Sequence, residues 1–221
     1  MSRLIKVSGI LFTCVGILFS SCSQTGGKGG FFGQNANFEK ISIATVGAEN
    51  YRNYVEDVDN GLIISKSVDD VLLEAFYMPI SYLALREAET KDINSEQYKT
   101  AYTELNSSGL QYVMVNIIVN SKVDPLKYKI KNLAEIEERI KYYSFEVNDD
   151  IKLKDGEVEL PCVLHHYERG FGITNKITLS LAFPKTANEE DKVLIFDDKI
   201  FNKGKLKIKF KKEDFNVLND Q

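Results

Sequence analysis

Short runs in which apolar and polar residues alternate fill the chain after residue 150. Turn-forming residues such as Asp155-Gly156, Gly170 and Gly172 separate these runs. Short strands at this spacing predict an antiparallel sandwich or barrel. The predicted strands cover residues 151–153, 160–167, 176–183, 193–196 and 206–210.

Residues 110–119 form the most β-prone run of the chain, and nearly all of them are apolar. Such a run is typical of a central strand that is covered on both faces. Residues 38–46, 62–68 and 71–78 also predict strands. The polar residues 49–61, in contrast, predict a solvated turn.

Three segments carry apolar residues at the three- and four-residue spacing of an amphipathic helix. They cover residues 80–89, 95–105 and 133–145. In the third segment, Glu135 and Arg139 are four residues apart in the favourable order, which predicts a solvated helical face.

Together these elements predict a mainly β fold, namely an Ig-like antiparallel β-sandwich with two or three accessory helices (α+β overall). The globular domain is expected at residues 36–215. Its predicted parts are an N-terminal β segment at 36–78, helices at about 80–105 and 131–145 and a sandwich mainly at 110–212, followed by a loose tail at 216–221.

The N-terminus has the parts of a secretory signal peptide in the required order. Arg3 and Lys6 precede an apolar run at 7–19, and the small residues Ser20 and Ser21 follow it. The apolar run is too short for a membrane-spanning helix, which needs about 20 apolar residues. Residues 1–21 are therefore predicted to be a cleaved signal peptide.

The apolar run ends in Phe19-Ser20-Ser21-Cys22, which resembles the lipobox of bacterial lipoproteins, although an aliphatic residue is usual where Phe19 stands. A phenylalanine at this position, in a chain rich in Asn, Lys, Ile and Tyr, resembles envelope lipoproteins of the Bacteroidota. The resemblance implies that the Cys22 thiol carries a diacylglyceryl group and that Cys22 becomes the N-terminus. Two or three acyl chains hold a protein on a membrane durably, because each buried methylene contributes about 0.8 kcal/mol. The alternative is a cleaved secretory peptide without a lipid.

Residues 22–35 are predicted to form a flexible tether, because five of the residues from 23 to 34 are glycines. A random coil of this length reaches roughly 20 Å. No acidic cluster follows Cys22, whereas in Bacteroidota lipoproteins such a cluster is associated with export to the cell surface. The resemblance therefore favours the periplasmic face of the outer membrane, with the inner membrane and the cell surface as alternatives.

The charge of the chain limits its partners. Of 28 Lys and Arg residues, 26 remain without Arg3 and Lys6, against 32 Asp and Glu residues, so the net charge is −6. This acidity supports neither nucleic-acid binding nor charge-driven adhesion to anionic lipid. The lysines that alternate along residues 206–211 are typical of a solvent-facing strand. The predicted partners are a membrane, through the lipid, and an envelope protein or glycan.

Cysteine usage excludes an intramolecular disulfide in the processed protein. Cys14 leaves with the signal peptide and Cys22 is acylated, so Cys162 is the one remaining thiol. It lies in the apolar run 160–164 and is predicted to be buried and unreactive.

No catalytic motif, metal-binding motif or cofactor motif is present in the sequence. His165 and His166 are its only histidines. Neighbouring strand residues point to opposite faces, so these two are not expected to bind one metal ion. The carboxylates that could serve acid/base chemistry are the pairs Asp149-Asp150 and Asp197-Asp198.

The loop at residues 165–174 combines aromatic, histidine and arginine side chains with glycines. Aromatic and arginine residues on loops are favoured at recognition surfaces. A second candidate surface contains Tyr51 and Tyr54. The candidate binding residues of the first loop are His165, His166, Tyr167, Arg169 and Phe171.

These features predict a membrane-anchored envelope lipoprotein whose domain is a non-enzymatic interaction or structural module. One alternative is a ligand-binding lipoprotein that serves uptake, which requires a concave apolar pocket. Another is a hydrolase that uses two carboxylates about 5–9 Å apart.

Overall fold

The computed structural model describes residues 40–119, 123–168, 170, 175–187 and 190–219. The predictions for the signal peptide, Cys22 and the tether lie outside these residues, as do those for Arg169 and Phe171. No helix within the described ranges is long and apolar enough to cross a membrane.

The domain contains short strands and mostly short helices. The strands are β1 (Ile41–Ser42), β2 (Ile63–Val68), β3 (Val71–Met78), β4 (Leu110–Val119), β5 (Ile151–Asp155), β6 (Val158–Pro161), β7 (Leu164–Glu168), β8 (Lys176–Pro184), β9 (Lys192–Asp198), β10 (Gly204–Phe210) and β11 (Leu218–Asn219). The helices are α1 (Ile43–Val46), α2 (Ala48–Glu56), α3 (Ile80–Glu87), α4 (Glu96–Ser107), α5 (Ala134–Lys141) and α6 (Lys212–Asn216). Further turns are 3-10 helical at Val58–Asn60, Pro125–Lys127 and Val147–Asp150, and π-helical at Tyr142–Glu146.

Two antiparallel sheets make the fold mainly β, as the sequence predicts. The five-stranded sheet has the order β2-β3-β4-β8-β7, and the four-stranded sheet has the order β10-β9-β5-β6. β1 and β11 form a separate parallel pair in which Ile41 lies opposite Leu218. β11 thus occupies part of the segment that is expected to be a loose tail.

The two sheets enclose a hydrophobic core, because alternate residues of their strands point inward. Leu73, Val115 and Leu179 come from the five-stranded sheet, and Leu153 and Phe196 come from the four-stranded sheet. All five are buried. Full burial of a side chain of this kind stabilises a fold by about 1.5–3 kcal/mol.

A second hydrophobic core lies on the opposite face of the five-stranded sheet. There Met114 of β4 packs with Tyr51 of α2, Leu83 of α3 and Leu105 of α4. Helices therefore cover one end of this face, and β4 has apolar neighbours on both sides. This explains why nearly every residue of β4 is apolar.

The segment before β2 is helical, which the hydrophobic pattern does not predict. The strand expected at 38–46 is limited to β1, and the solvated turn expected at 49–61 contains α2. Tyr51 and Val55 lie one helical turn apart and are fully buried, so tertiary packing decides the structure of this polar segment. Tyr51 therefore belongs to the core, not to a binding surface.

The single strand expected at 160–167 is two strands in different sheets. β6 ends at Pro161, which has no N–H for a further ladder bond. The chain then crosses to the other sheet through Cys162 and Val163. The N–H of Val163 donates to the Ala182 carbonyl at 2.9 Å. The crossing links the edge of one sheet to the edge of the other.

Arg139 on α5 points into the protein, not into solvent. Its Nη1 donates to the carbonyls of Pro125 at 2.9 Å and of Tyr128 at 2.8 Å. Its guanidinium lies 5.4 Å from the ring centre of Phe201. The predicted solvated pair with Glu135 is therefore wrong, and Arg139 joins α5 to the preceding 3-10 turn.

Candidate binding edge and charged clusters

Strand β7 carries the described part of the predicted binding loop and lies at one edge of the five-stranded sheet. Among the described residues its sheet partner is β8, with His165 opposite Leu181 and His166 opposite Ser180. Because the two histidines follow each other in a strand, they point to opposite faces.

His165 and Tyr167 face the interior. The Nε2 atom of His165 lies 3.1 Å from the carbonyl oxygen of Ser144 in the π-helical turn. Tyr167 is buried, and its ring centre lies 5.8 Å from that of Tyr143. These contacts hold β7 against the π-helical turn, and Tyr167 presents no ring to solvent.

The same edge exposes several apolar side chains. Leu164 at the start of β7 is 61% exposed, Val163 before it is 46% exposed, and Phe145 in the π-helical turn is 72% exposed. His166 is also exposed. An edge strand has backbone groups free to pair with another strand, and exposed apolar residues beside it are typical of a recognition surface.

The two carboxylate pairs noted in the sequence meet at Lys199. Its Nζ lies 2.6 Å from Asp197 and 3.8 Å from Asp150. The hydrogen bond from Lys199 holds the pKa of the Asp197 carboxyl below its ordinary value. A general acid needs a raised pKa, so this carboxyl has the electrostatics of an ion pair.

Asp198 is buried and organises the hairpin between β9 and β10. Its carboxylate accepts the N–H groups of Ile200 and Phe201 at 3.1 Å and that of Lys203 at 3.0 Å. Charge-assisted bonds from the backbone thus satisfy this carboxylate. Its role is structural.

Asp70, in the turn between β2 and β3, joins three segments of the chain. Its Oδ2 accepts hydrogen bonds from the Lys129 ammonium at 2.5 Å and the Tyr128 hydroxyl at 2.8 Å. Lys203 of the β9–β10 hairpin approaches its Oδ1 to 2.7 Å. The bonds from Lys129, Lys203 and Tyr128 hold the pKa of the Asp70 carboxyl well below its usual range.

A buried ion pair joins β5 to β9. The Nζ of Lys192 lies 2.6 Å from the Oδ2 of Asp155, and both side chains are almost inaccessible to solvent. Thr186 donates its hydroxyl to the same oxygen at 2.5 Å. The Phe215 ring centre lies 5.2 Å from the ammonium. Apolar and polar groups therefore enclose this pair together.

Cys162 is buried and donates its thiol to the Leu164 carbonyl at 3.2 Å. Burial raises the pKa of this thiol to about 11, so it stays protonated at neutral pH. The prediction that Cys162 is buried is confirmed. In the described part of the chain, no group of three His, Cys, Asp or Glu side chains could hold a metal ion.

No protein-family model matches this chain, and no curated protein is significantly similar to it. Among solved structures, it is similar to the crystal structure of a DUF4426 family protein from Pseudomonas aeruginosa PAO1, with a TM-score of 0.31 and 10% sequence identity. The similarity covers 67% of this chain and 91% of that chain.

Proposed function

We propose that the protein is a bacterial envelope lipoprotein, anchored through Cys22, whose domain is a non-enzymatic interaction module. The signal-peptide pattern, the Phe19–Cys22 motif and the glycine-rich residues that follow support the anchor. The observation that carries the interaction role is the sheet edge at β7, where Val163, Leu164 and Phe145 are exposed. The partner is an envelope protein or glycan.

We infer further that the domain is an Ig-like sandwich. Its strand order β3-β4-β8-β7 corresponds to the order A-B-E-D of an immunoglobulin sheet, and β10-β9-β5-β6 corresponds to G-F-C-C′. Strand β2 extends the first sheet beyond strand A, and α5 lies in the connection between strands B and C. In such sandwiches, loops and edges serve recognition while the core stays constant.

The anchor is tested by metabolic labelling with palmitate and by cell fractionation. The wild type is expected to incorporate label and to remain with the membranes, and the Cys22→Ala variant is expected to do neither. Cys162→Ala is the matched control, because it removes the other cysteine of the processed chain. An unlabelled wild type that washes off membranes as readily as Cys22→Ala would refute the anchor.

The binding edge is tested with a Leu164→Asp variant in pull-downs from detergent-solubilised membranes. A charge at this position should abolish capture of the partner. An unpaired carboxylate buried in an apolar interface loses its hydration and gains no compensating contact. Leu133→Asp is the control, since Leu133 is 78% exposed and lies outside the edge. Equal capture by both variants would contradict the assignment.

A further inference from the structure

The outer face of the four-stranded sheet is a lysine surface built from three strands. Register places Lys207 and Lys152 on either side of Ile195. It likewise places Lys209 and Lys154 on either side of Val193. Within each row the three residues lie on neighbouring strands, which are about 4.8 Å apart. Residues two positions apart in a strand point to the same face, so the two lysine–aliphatic–lysine rows lie side by side.

The charge of this surface is opposite to that of the whole chain. The residues of β5, β6, β9 and β10 that point outward include five lysines and two carboxylates, Glu159 and Asp197. Lys205 and Lys207 form no ion pair with any carboxylate among the described residues. The ammonium groups of Lys152, Lys154 and Lys209, in contrast, lie 3.3, 3.3 and 2.6 Å from Glu159, Glu157 and Asp191. The positive charge that is not paired with a described carboxylate therefore lies at Lys205 and Lys207.

The side chains between the lysines suit a bilayer better than a nucleic acid or a glycan. Val193 and Ile195 are half-buried aliphatic residues, and Pro161, opposite Lys152, extends the row that contains Ile195. No aromatic residue points outward from the four strands on this face, so it lacks the rings on which bases stack. Lysines can extend their ammonium groups to lipid phosphates while their methylene stems lie along apolar surface.

We propose that this lysine surface seats the domain on an anionic phospholipid bilayer. The proposal rests on the proposed lipid anchor, because a tether of roughly 20 Å makes the encounter intramolecular and raises the effective concentration of the bilayer at this surface. Each lysine near an anionic membrane strengthens binding about fivefold. The lipid anchor thus fixes the protein to the membrane, and the lysine surface sets which side of the sandwich faces it.

The test uses the full processed chain with Cys22→Ser, which carries no acyl group, and flotation with vesicles. Vesicles that contain phosphatidylglycerol should bind this protein, and pure phosphatidylcholine vesicles should not. Lys205→Glu with Lys207→Glu should weaken binding about 600-fold, because four units of charge change near the surface and each contributes a factor of about five. These two replacements break no ion pair between described residues, so the fold should persist, which circular dichroism checks.

The matched control is Lys127→Glu with Lys131→Glu, which makes the same charge change at two exposed lysines outside the sheet. Equal loss in control and test variants, or equal binding to neutral vesicles, would overturn the proposal. Binding of soluble polyglutamate through Lys205 and Lys207 without vesicle binding would overturn it in favour of an acidic macromolecule. Palmitate labelling reports on the anchor separately, so either proposal can fail alone.

Discussion

At the residue scale, Asp155 and Lys192 depend on each other. They face each other across β5 and β9 and are shielded from water. Transfer of each charge out of water is costly, and their attraction in a medium of low polarity offsets that cost. Loss of one partner leaves an isolated buried charge, whereas loss of both removes the charges and leaves the Thr186 hydroxyl as a polar group at the site.

Replacement of Lys192 by Met should therefore lower the free energy of unfolding by about 3–5 kcal/mol. The double replacement Asp155→Leu with Lys192→Met should recover most of this loss. Urea unfolding followed by circular dichroism measures both. Lys152→Met on the same sheet is the control and should change stability by less than about 0.5 kcal/mol, because Lys152 is exposed. Equal losses in the single and double variants would show that the pair is not coupled.

At the scale of elements, alternation and turn residues predict β2, β3, β4, β8, β9 and β10 because their patterns are local. The same reasoning fails for α2, whose polar sequence is helical only because Tyr51 and Val55 pack against distant residues. It also misses the break between β6 and β7, because apolar residues continue through the crossing while the chain changes sheets.

For the candidate surfaces too, local patterns can be predicted from the sequence, whereas contacts between distant residues cannot. His165 and His166 can be placed on opposite faces from the strand period alone. The lysine surface cannot be recognised from the sequence, because Lys152 and Lys207 are far apart in the chain and meet through their register with Ile195. Along β10 alone, alternating lysines are indistinguishable from an ordinary solvent-facing strand.

Within the connection between β4 and β5, Arg139 joins α5 to the preceding 3-10 turn. Arg139→Met should destabilise the protein by about 1–3 kcal/mol, because the carbonyls of Pro125 and Tyr128 lose their donor. Thermal and urea unfolding measure the effect. Lys141→Met on the same helix is the control, since Lys141 is exposed, and a similar loss there would contradict the role of Arg139.

At the scale of the whole molecule, Asp70 ties the two sheets to each other. It lies in a turn of the five-stranded sheet, whereas Lys203 lies in a hairpin of the four-stranded sheet. Lys129 adds the connection between β4 and β5. Because the folded protein lowers the pKa of Asp70, folding favours the ionised carboxylate, and this contribution to stability is complete only above the unfolded pKa of about 3.9.

Asp70→Asn should therefore lower the Tm at neutral pH and reduce its dependence on acidity. As the pH falls below about 4, the wild type should lose stability towards its lower folded pKa, and the two proteins should converge. Thermal unfolding between about pH 2 and pH 7 measures both curves. Asp59→Asn is the control, because Asp59 is exposed and forms no ion pair with a described residue. Parallel curves for wild type and Asp70→Asn would contradict the assignment.

The parallel pairing of β1 with β11 brings the start and the finish of the folded body together. A reporter fused after Asn219 would consequently sit beside β1, the first strand of the described domain. The same closeness makes the domain suited to circular permutation, with a short linker from Asn219 to Ile41 and new termini in the largely exposed turn at residues 90–94. A permuted chain of this kind would begin in the turn between α3 and α4 and would still contain every strand of both sheets.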